Sequence, residues 1–478
     1  MWIEELKRLP SLRQIGLEKT CPIWHASVDA QEYLRLAGSL KAKGGQLVAL
    51  WGSDNLSLNQ DPGGERLPAR FSLHAAFYVQ VHAEFIVRPG LLWVTLDVPE
   101  GPSASVTFPS LSALFPAAVR MERALYDLLG VRAQGLADQR PWLRHGAWPA
   151  DQFPLRKDFP APKTFKATPN DYPFVQVTGE GVHEIPVGPV HAGIIEPGHF
   201  RFQVVEEKVL RLEERLGYKH KGIEKRFEGM DLMEDARLAG RVSGDSTVAH
   251  AWAYAMAVES LTETEVPPRA LGLRALLLER ERIANHLGDL GALGNDAGLA
   301  FGLAQFGRLK EGVLRSNHAL FGHRYLMDVV SPGGVAKDLD SAGRDRIRHE
   351  VQSLLPEIDR LQEIYEEHAG LQDRLANTGQ VTPELASRLG LIGPAGRASG
   401  QLCDLRVQCP LPPYNEIEVN LCTHPDGDVD ARVAVRFGEL RESLRLETEI
   451  LAQLPEDLIH ISTPADILRY DLRSYCGG

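Results

Sequence analysis

A short polar stretch near the middle of the chain combines residue types that can exchange protons or cap a helix. Residues 243–246 read Ser-Gly-Asp-Ser, and the alanine-rich segment from Thr247 to Val258 follows at once. Serine and aspartate are favoured just before a helix, and the apolar run predicts a helix that is buried on every side. The helix dipole and the free backbone N–H groups favour negative charge at such a start. We therefore interpret the stretch either as a polar pocket or as an ordinary cap on a core helix.

A second group of polar residues lies along one edge of a helix predicted at residues 270–290. Glu279, Arg282 and His286 are spaced three and four apart, so they share one side of that helix. Two interpretations stay open: an exposed ladder of ion pairs, or side chains partly buried beside a cofactor pocket. The glycine-rich residues 393–400 lack the strand and the Gly-Lys-Ser/Thr context of a nucleotide cradle, so we reject a phosphate-binding role for them.

Composition and charge limit the class of protein. The chain has 478 residues, 44% of them hydrophobic, and a net charge of −12 without a long block of one sign. This length predicts two or three domains, and the charge argues against a nucleic-acid partner. No apolar stretch reaches the roughly 18–20 residues that a membrane-spanning helix needs. The N-terminal sequence lacks the features of a secretory signal, so we expect a cytoplasmic protein.

The cysteines do not suggest a metal site. None of them forms a Cys-x-x-Cys pair, so their spacing predicts neither a disulfide framework nor a zinc or iron-sulfur site. Any redox metal would therefore belong to a partner protein. The five cysteines are Cys21, Cys403, Cys409, Cys422 and Cys476.

The periodicity of the first 140 residues predicts a small N-terminal α/β sandwich domain. Its strands should include a hairpin whose turn lies at Pro89-Gly90. The predicted elements are helices at 29–43 and 117–129 and strands at 46–51, 79–88 and 91–98. Residues 141–180 follow as a proline-rich connector, with seven prolines between 141 and 173. The connector is either a flexible linker or an arm laid along a surface.

Residues 181–478 predict a second domain of a different kind. Alternating residues between 182 and 212 indicate a small antiparallel sheet, and the pattern becomes helical after Gly222. Residues 344–376 predict a long helix with a kink at Pro356. The predicted fold class is therefore α+β, with the sandwich domain followed by a mainly helical bundle that bears a small antiparallel sheet.

Several of these segments resemble one family in the same order. They are similar to the large subunit of group 4 membrane-bound [NiFe] hydrogenases and to its relative, the 49 kDa quinone-site subunit of respiratory complex I. Residues 121–131 resemble the 30 kDa complex I subunit, and a fusion of the two, as in the hydrogenase-3 and hydrogenase-4 large subunits, covers the chain to about residue 455. The matching segments are Gly188–His191, Glu196–Phe202, Leu216–Lys225, Arg241–Glu259, Glu281–His286 and Gly393–Gly400.

The chain departs from the hydrogenases at their metal site. Where they carry Cys-Gly-Ile-Cys, this chain has Ser243 to Ser246, and residues 471–478 hold one cysteine instead of a second pair. Nickel needs soft thiolate ligands, and a serine hydroxyl is neither soft nor ionised near pH 7. We therefore predict no nickel-iron site. The resemblance also predicts a C-terminus that is truncated relative to the family.

The chain departs from complex I at the quinone site as well. The tyrosine that holds the quinone headgroup there corresponds to Gly244, and the histidine falls near Glu196 or Pro197. His191 remains close by in the same loop. The resemblance therefore leaves a polar cavity as the expectation, with quinone binding as an open question.

Other positions keep the residues that the family uses. Arg241 matches the arginine that lies against the partner's terminal iron-sulfur cluster, and Ser243 and Ser246 would line the cavity facing that cluster or a quinone. Glu224 matches the hydrogenase glutamate of proton transfer, with Lys221 in place of its arginine. The resemblance implies a buried carboxylate with a raised pKa. Its predicted neighbours in the catalytic set are Asp245, His250 and His191.

Three functions follow from the resemblance. The first is a subunit of a complex I-like or hydrogenase-4-like oxidoreductase that couples electron transfer of the NADH/quinone type to proton movement. It would bind no cofactor itself and would dock on a small iron-sulfur subunit and on integral membrane subunits, at the cytoplasmic face of the membrane. The second is a non-catalytic scaffold of such a complex. The third is a true [NiFe] hydrogenase, which would require nickel.

Overall fold

The computed structural model describes residues 11–15, 22–56, 69–83, 86–99, 106–159, 165–166, 172–191 and 195–462. Its first part is built on a five-stranded sheet of order β1-β2-β5-β4-β3, in which β2 and β5 are parallel and the other neighbours are antiparallel. The strands are β1 (Arg13–Ile15), β2 (Ile23–Val28), β3 (Gln46–Asp54), β4 (Phe71–Ala83) and β5 (Ile86–Val98). Helices α1 (Ala30–Ala42) and α2 (Ala118–Leu129) accompany the sheet, and β6 (Val106–Pro109) pairs in parallel with β7 (Val131–Gln134).

The sheet of the first part buries one face because its residues alternate in type. Phe71, Leu73, Ala75 and Phe77 of β4 are almost fully buried, and the alternate residues between them lie on the other face. Helix α1 begins where its cap predicts, since the Asp29 side chain accepts a hydrogen bond from the backbone N–H of Glu32 at 2.8 Å. A helix-bearing sheet with its own core therefore forms the first part.

The position predicted for the hairpin turn between β4 and β5 is wrong. The ladder pairs Val79 with Gly90 and Ala83 with Ile86, so Pro89 and Gly90 lie inside β5. A Cβ atom at Gly90 would approach the Trp24 ring to 2.4 Å. Glycine is therefore placed here by the close approach of an aromatic ring rather than by a turn.

The described part of the proline-rich connector lies along the first part. The backbone N–H groups of Trp142 and Leu143 both donate to Asp127 Oδ2, at 2.6 and 2.7 Å. Further along, the N–H of Lys157 donates to Asp54 Oδ2 at 3.0 Å. These contacts support the arm interpretation over the flexible linker, since unattached chain would leave the two buried aspartates without these donors.

A small antiparallel sheet follows, as the sequence predicts. Its order is β10-β9-β8, with β8 (His183–Val190), β9 (Gly198–Val205) and β10 (Lys208–Arg215). It is attached to the connector, because the backbone N–H of Val175 donates to Glu213 Oε2 at 3.1 Å.

The rest of the described chain is mainly helical, and the α+β class is confirmed. Helix α6 runs through the centre, and its leucines form the core with residues of α7, α8 and α13. The helices are α3 (Ile223–Phe227), α4 (Leu232–Ala239), α5 (Thr247–Leu261), α6 (Pro268–Asp296), α7 (Ala300–Phe321), α8 (Ser341–Glu367), α9 (Ala369–Leu375), α10 (Pro383–Leu389), α11 (Gly393–Arg397), α12 (Leu405–Gln408) and α13 (Val429–Gln453). The short strands β11 (Val330–Ser331) and β12 (Gly334–Val335) pair between α7 and α8.

Ion pairs are buried inside this helical part. Arg406 Nη1 lies 3.1 Å from Glu279 Oε2, and its Nη2 lies 2.7 Å from Asp404 Oδ2. Glu439 lies between Arg397, which donates to it, and His286, whose Nε2 is 3.1 Å away. Glu279 and His286 are therefore buried, and the exposed-ladder interpretation of their spacing is wrong.

None of the described helices is both long enough and apolar enough to span a membrane. Helix α6 illustrates the reason, since several charged side chains interrupt its 29 residues.

Candidate functional site

The polar stretch predicted from the sequence forms the turn between α4 and α5. Helix α5 begins at Thr247, as expected, but Ser246 makes no side-chain hydrogen bond that caps it. The Thr247 hydroxyl donates instead to the backbone oxygen of Gly240, at 2.6 Å, and so ties the start of α5 to the end of α4. The prediction of a serine cap is therefore wrong.

The cap is supplied by Glu281, which comes from α6. Its Oε2 accepts the N–H of Val248 at 2.7 Å, and its Oε1 accepts the N–H of Ala249 at 3.2 Å. The residue is only 9% exposed. Burial raises the pKa of Glu281 to about 7, although the two N–H groups and the charge of Arg282 oppose the rise. A buried carboxyl that titrates near neutral pH therefore lies at the start of α5.

Asp245 is the centre of the polar groups in the turn. Its carboxylate accepts a hydrogen bond from the Ser243 hydroxyl, and its backbone oxygen accepts one from Asn285 Nδ2 at 2.7 Å. Burial lowers the pKa of His250, and the negative charge of Asp245 opposes that change. The structure therefore brings three of the predicted residues together, namely Ser243, Asp245 and His250.

Lys310 of α7 is a further charged group that faces Asp245. Partial burial lowers the pKa of Lys310, and the charges of Asp289 and Asp245 counteract this. The Lys310 side chain packs against α6 at Gly288, where an added Cβ would lie 2.6 Å from Nζ. Sequence reasoning missed both Lys310 and the role of Glu281, because each lies on a different helix from the turn.

Helix α5 is buried on one side only within this chain. Val248, Ala251, Trp252 and Ala255 face the core. The opposite side, with Ala249, Ala253, Ala257 and Ser260, is exposed. The prediction of burial on every side is therefore wrong for the chain alone, because apolar composition does not show which face the chain's own helices cover.

Arg241 is half-exposed and forms an ion pair within the chain. Both of its terminal nitrogens bond to Asp328, with Nη2 2.7 Å from Oδ2. These hydrogen bonds hold the pKa of Asp328 below its ordinary value. The positive charge of Arg241 is therefore partly neutralised, which the sequence did not predict. Its position beside a partner's cluster stays a prediction.

Glu224 does not occupy the buried position that was expected. It is exposed, and it makes no hydrogen bond or ion pair with any residue that the structure describes. The five residues of α3 lie on the surface, so none of them is buried. Lys221 anchors the preceding loop to the turn, since its Nζ donates to the backbone oxygen of Val242 at 2.9 Å. His191 is exposed directly after β8, and its contact with the turn stays a prediction.

The residues of the turn do not fit a nickel-iron centre. Serine hydroxyls replace the thiolates, and no group of three or more His, Cys, Asp or Glu in the described ranges is arranged to hold a metal ion. The quinone pair is not repeated either, because Gly244 and Glu196 are exposed residues without a phenol or imidazole. The side chains that are present suit proton exchange.

Two parts of the chain match two known protein families. Residues 26–165 match the 30 Kd subunit of respiratory-chain NADH dehydrogenase, and residues 296–471 match its 49 Kd subunit. The two matches occur in one chain and in that order, which supports the fusion predicted from the sequence.

Similar proteins with both parts are found among curated proteins. The chain is 32% identical to formate hydrogenlyase subunit 5 of Escherichia coli over 421 residues, which cover 86% of this chain and 70% of that protein. It is also 32% identical to hydrogenase-4 component G of the same organism, over 86% of this chain and 69% of that protein. An NADH-quinone oxidoreductase subunit of Phocaeicola vulgatus is 27% identical over 73% of this chain and 70% of its own length.

A solved structure is similar as well. It belongs to the membrane-bound sulfane sulfur reductase, an archaeal respiratory membrane complex, with a TM-score of 0.57 and 25% identity over 60% of this chain and 78% of that one. From these matches, the chain belongs to the family of fused complex I 30 kDa/49 kDa-type subunits that are related to the large subunits of group 4 hydrogenases.

Proposed function

We propose that the chain is the electron- and proton-handling subunit of a membrane-associated complex I-like or hydrogenase-4-like oxidoreductase. Family membership supports an oxidoreductase subunit. The proposal adds a small iron-sulfur subunit docked beside Arg241, integral membrane subunits, and a position on the cytoplasmic face of the membrane. This chain would bind no cofactor itself. Electrons would stay on the partner's terminal cluster and on an acceptor of the assembly, for which a quinone is proposed.

One observation carries the proposal. At the turn that corresponds, by the family resemblance, to the metal site of the hydrogenases, this chain has the hydrogen-bonded pair of Ser243 and Asp245. The charge of Asp245 also acts on His250 and Lys310. Oxygen and nitrogen groups of this kind exchange protons in catalysis, whereas nickel requires thiolates. The site therefore supports proton transfer in the ancestral position of a metallocentre.

The chain's own residues would act in sequence along this turn. Burial lowers the pKa of His250 and so favours its neutral form, which can accept a proton. Ser246 and Ser243 would orient water or the acceptor. Glu224 and His191, which are exposed in the chain alone, would exchange protons once a partner covers them. Arg241 would favour the reduced state of a nearby cluster to the extent that Asp328 leaves its charge free.

The test is the turnover of the assembled complex with Asp245→Asn. Loss of a group that transfers protons typically slows a reaction by about 100-fold, so we expect a drop of that order in acceptor reduction. Asp296→Asn, which removes an exposed carboxylate at the end of α6, should leave the rate unchanged. Wild-type rates in Asp245→Asn, Glu224→Gln and Arg241→Ala together would contradict the proposal.

A non-catalytic scaffold is the second function that an observation favours. Arg241 is paired with Asp328, and Glu224 is exposed without a partner among the described residues, which is also what an inactive site would show. A scaffold should tolerate Asp245→Ala and Glu224→Ala in the working complex. It should fail only when a docking surface is altered, which pull-down of the other subunits would detect.

A further inference from the structure

Glu281 is a buried carboxyl whose hydrogen-bond partners are backbone groups. Its two oxygens accept the N–H groups of Val248 and Ala249, and it forms no salt bridge with any residue in the part of the chain that the structure describes. Buried carboxylates are normally paired with a cation. A buried carboxyl without such a pair is a group that gains or loses a proton easily.

We propose that Glu281 is the carboxyl that stores a proton at this site, and that its protonation state sets the hydrogen bonds at the start of α5. The role in turnover rests on the proposed function above. The protonation of Glu281 itself does not depend on that function. Glu281 begins Glu281–His286, one of the segments that resemble the family, but the sequence and the resemblance gave it no role.

Protonation of Glu281 changes the hydrogen bonds at the start of α5. When Glu281 is ionised, both oxygens can accept N–H groups at the positive end of the α5 dipole. When it is protonated, one oxygen carries a hydrogen and must turn to another acceptor. The bond to Ala249, at 3.2 Å, is the longer of the two and should be given up first. Arrival of a proton therefore loosens the start of α5, next to the turn that holds Asp245.

The exchange itself balances with water as the only other reactant. A proton from water is taken up by the Glu281 carboxylate, which loses its negative charge, and release of the proton to water restores the carboxylate. Asn285, which donates to the Asp245 backbone, holds the turn against α6, the helix that carries Glu281. The backbone of the turn and the Glu281 side chain are thus held by the same helix.

The charged groups around Glu281 favour uptake and release of its proton near neutral pH. Asp245 approaches Glu281 from the turn and raises its pKa, while Arg282 on the same helix lowers it. His250 of α5 and Lys310 of α7 face Asp245, and Asp289 faces Lys310. Burial is the largest influence and brings the pKa of Glu281 to about 7. Glu281 therefore gains and loses its proton near neutral pH.

The first experiment uses the full chain and measures the melting temperature at about pH 5.5 and about pH 8.5. Glu281→Gln is compared with the wild type and with Glu363→Gln, the same change at an exposed position of α8. We expect Glu281→Gln to melt like the wild type at the lower pH and several degrees higher at the upper pH. Equal melting at both values would overturn the proposal. The Glu363→Gln control should follow the wild type throughout.

A second variant and a direct measurement keep the proposal testable if Glu281→Gln does not fold. Infrared spectra of the wild-type chain minus those of Glu281→Asp should show a protonated glutamate carboxyl that disappears on raising the pH through about 7. A spectrum without a protonated carboxyl above about pH 5.5 would overturn the proposal.

The second experiment separates the proposal from the proposed function. In the assembled complex, the turnover rate should change with pH around pH 7. This pH dependence should shift in Glu281→Gln, and Glu281→Asp should partly restore it. If Asp245→Asn is inactive but the profile of Glu281→Gln matches the wild type, the proposed function stands and this inference fails. If Asp245→Asn is fully active, the proposed function fails, and the melting experiment alone decides whether Glu281 stores a proton.

Discussion

Two regions of the same helical core shift the pKa of a buried carboxyl group in opposite directions. In the bundle, Glu439 lies between Arg397 and His286, and these partners lower its pKa to about 2. At the start of α5, Glu281 is also buried but is bonded to backbone N–H groups, and its pKa rises to about 7. The comparison shows that burial alone does not fix the charge of a carboxyl. A dedicated cation makes it a permanent structural anion, and its absence leaves a group that can carry a proton.

Glu447 shows where the boundary between these two cases lies. It is fully buried, and Arg280 bonds to it at 3.1 Å but also to Glu350 at 3.0 Å. Burial and the competing charge of Glu350 raise the pKa of Glu447 to about 8. A guanidinium that is shared between two carboxylates therefore does not keep both of them ionised.

The largest effect is expected for Glu439→Gln. Removing one partner of a buried ion pair typically costs about 3–5 kcal/mol in the free energy of unfolding, because Arg397 is left without its charge partner. Urea unfolding of the full chain at neutral pH would measure it, with Glu363→Gln as the exposed control. A loss below about 1 kcal/mol would place Glu439 with the exchangeable carboxyls.

The same pair also makes the chain sensitive to acid. Because the folded-state pKa of Glu439 lies below its ordinary value of 4.5, its contribution is present above pH 4.5 and is lost as the pH falls through about 2. The gap in stability between the wild type and Glu439→Gln should therefore close in strong acid. A difference in the free energy of unfolding that stays constant with pH would contradict an ionised Glu439 paired with Arg397.

The next effect is the pH dependence at Glu281, which has the opposite sign. Its pKa is raised from 4.5 to about 7, so the stabilisation that the neutral form provides is complete below pH 4.5 and is lost as the pH rises through about 7. At about 1.4 kcal/mol per pH unit, the loss is on the order of 3 kcal/mol. Denaturant titrations of Glu281→Gln should lack this decline, and an identical decline in the variant would assign it to another group.

A smaller effect is expected for Glu447→Gln at neutral pH. If Glu447 is mostly protonated there, glutamine is nearly its equal in shape and charge, and the loss should be about 1 kcal/mol. The free energy of unfolding of this variant should thus resemble that of Glu281→Gln more than that of Glu439→Gln. A loss near that of Glu439→Gln would show that the shared Arg280 holds Glu447 ionised after all.

The smallest effect is expected for Arg241→Ala in the isolated chain. Its pair with Asp328 is about 40% exposed on both sides, and exposed pairs contribute about 0–1 kcal/mol. The variant should therefore fold normally, and a drop in turnover of the complex could be attributed to charge rather than to unfolding. A loss of several kcal/mol would mean that the pair is structural.

The sequence predicted those elements whose signals are local. Helix α1 has its Asp29 cap, and α6 has a long apolar stripe, so both were found close to their observed bounds. The turn predicted at Pro89-Gly90 was wrong because the alternation continues through it and the composition there imitates a turn. The burial of Glu224 was inferred from the family resemblance, and the five-residue α3 does not provide it.

The site was found in part for the same reason. Ser243, Asp245 and His250 lie within one short stretch, so one motif located all three. Glu281 stands in a run of charged residues and looks like a surface glutamate. One signal did exist, since Glu281 is four residues after Leu277 and three before Ala284, which are both buried on the core side of α6. A carboxyl on a core-facing stripe indicates a buried partner, although it does not identify the N-terminus of α5.

The most direct measurement is the proton balance of the full chain. Potentiometric titration of the wild type minus that of Glu281→Gln isolates the protons that this one carboxyl binds. We predict a single proton released around pH 7, where burial has raised the pKa of Glu281. Release near the ordinary value of 4.5 would show an unperturbed, solvated carboxyl and would contradict a proton-storing site at the start of α5.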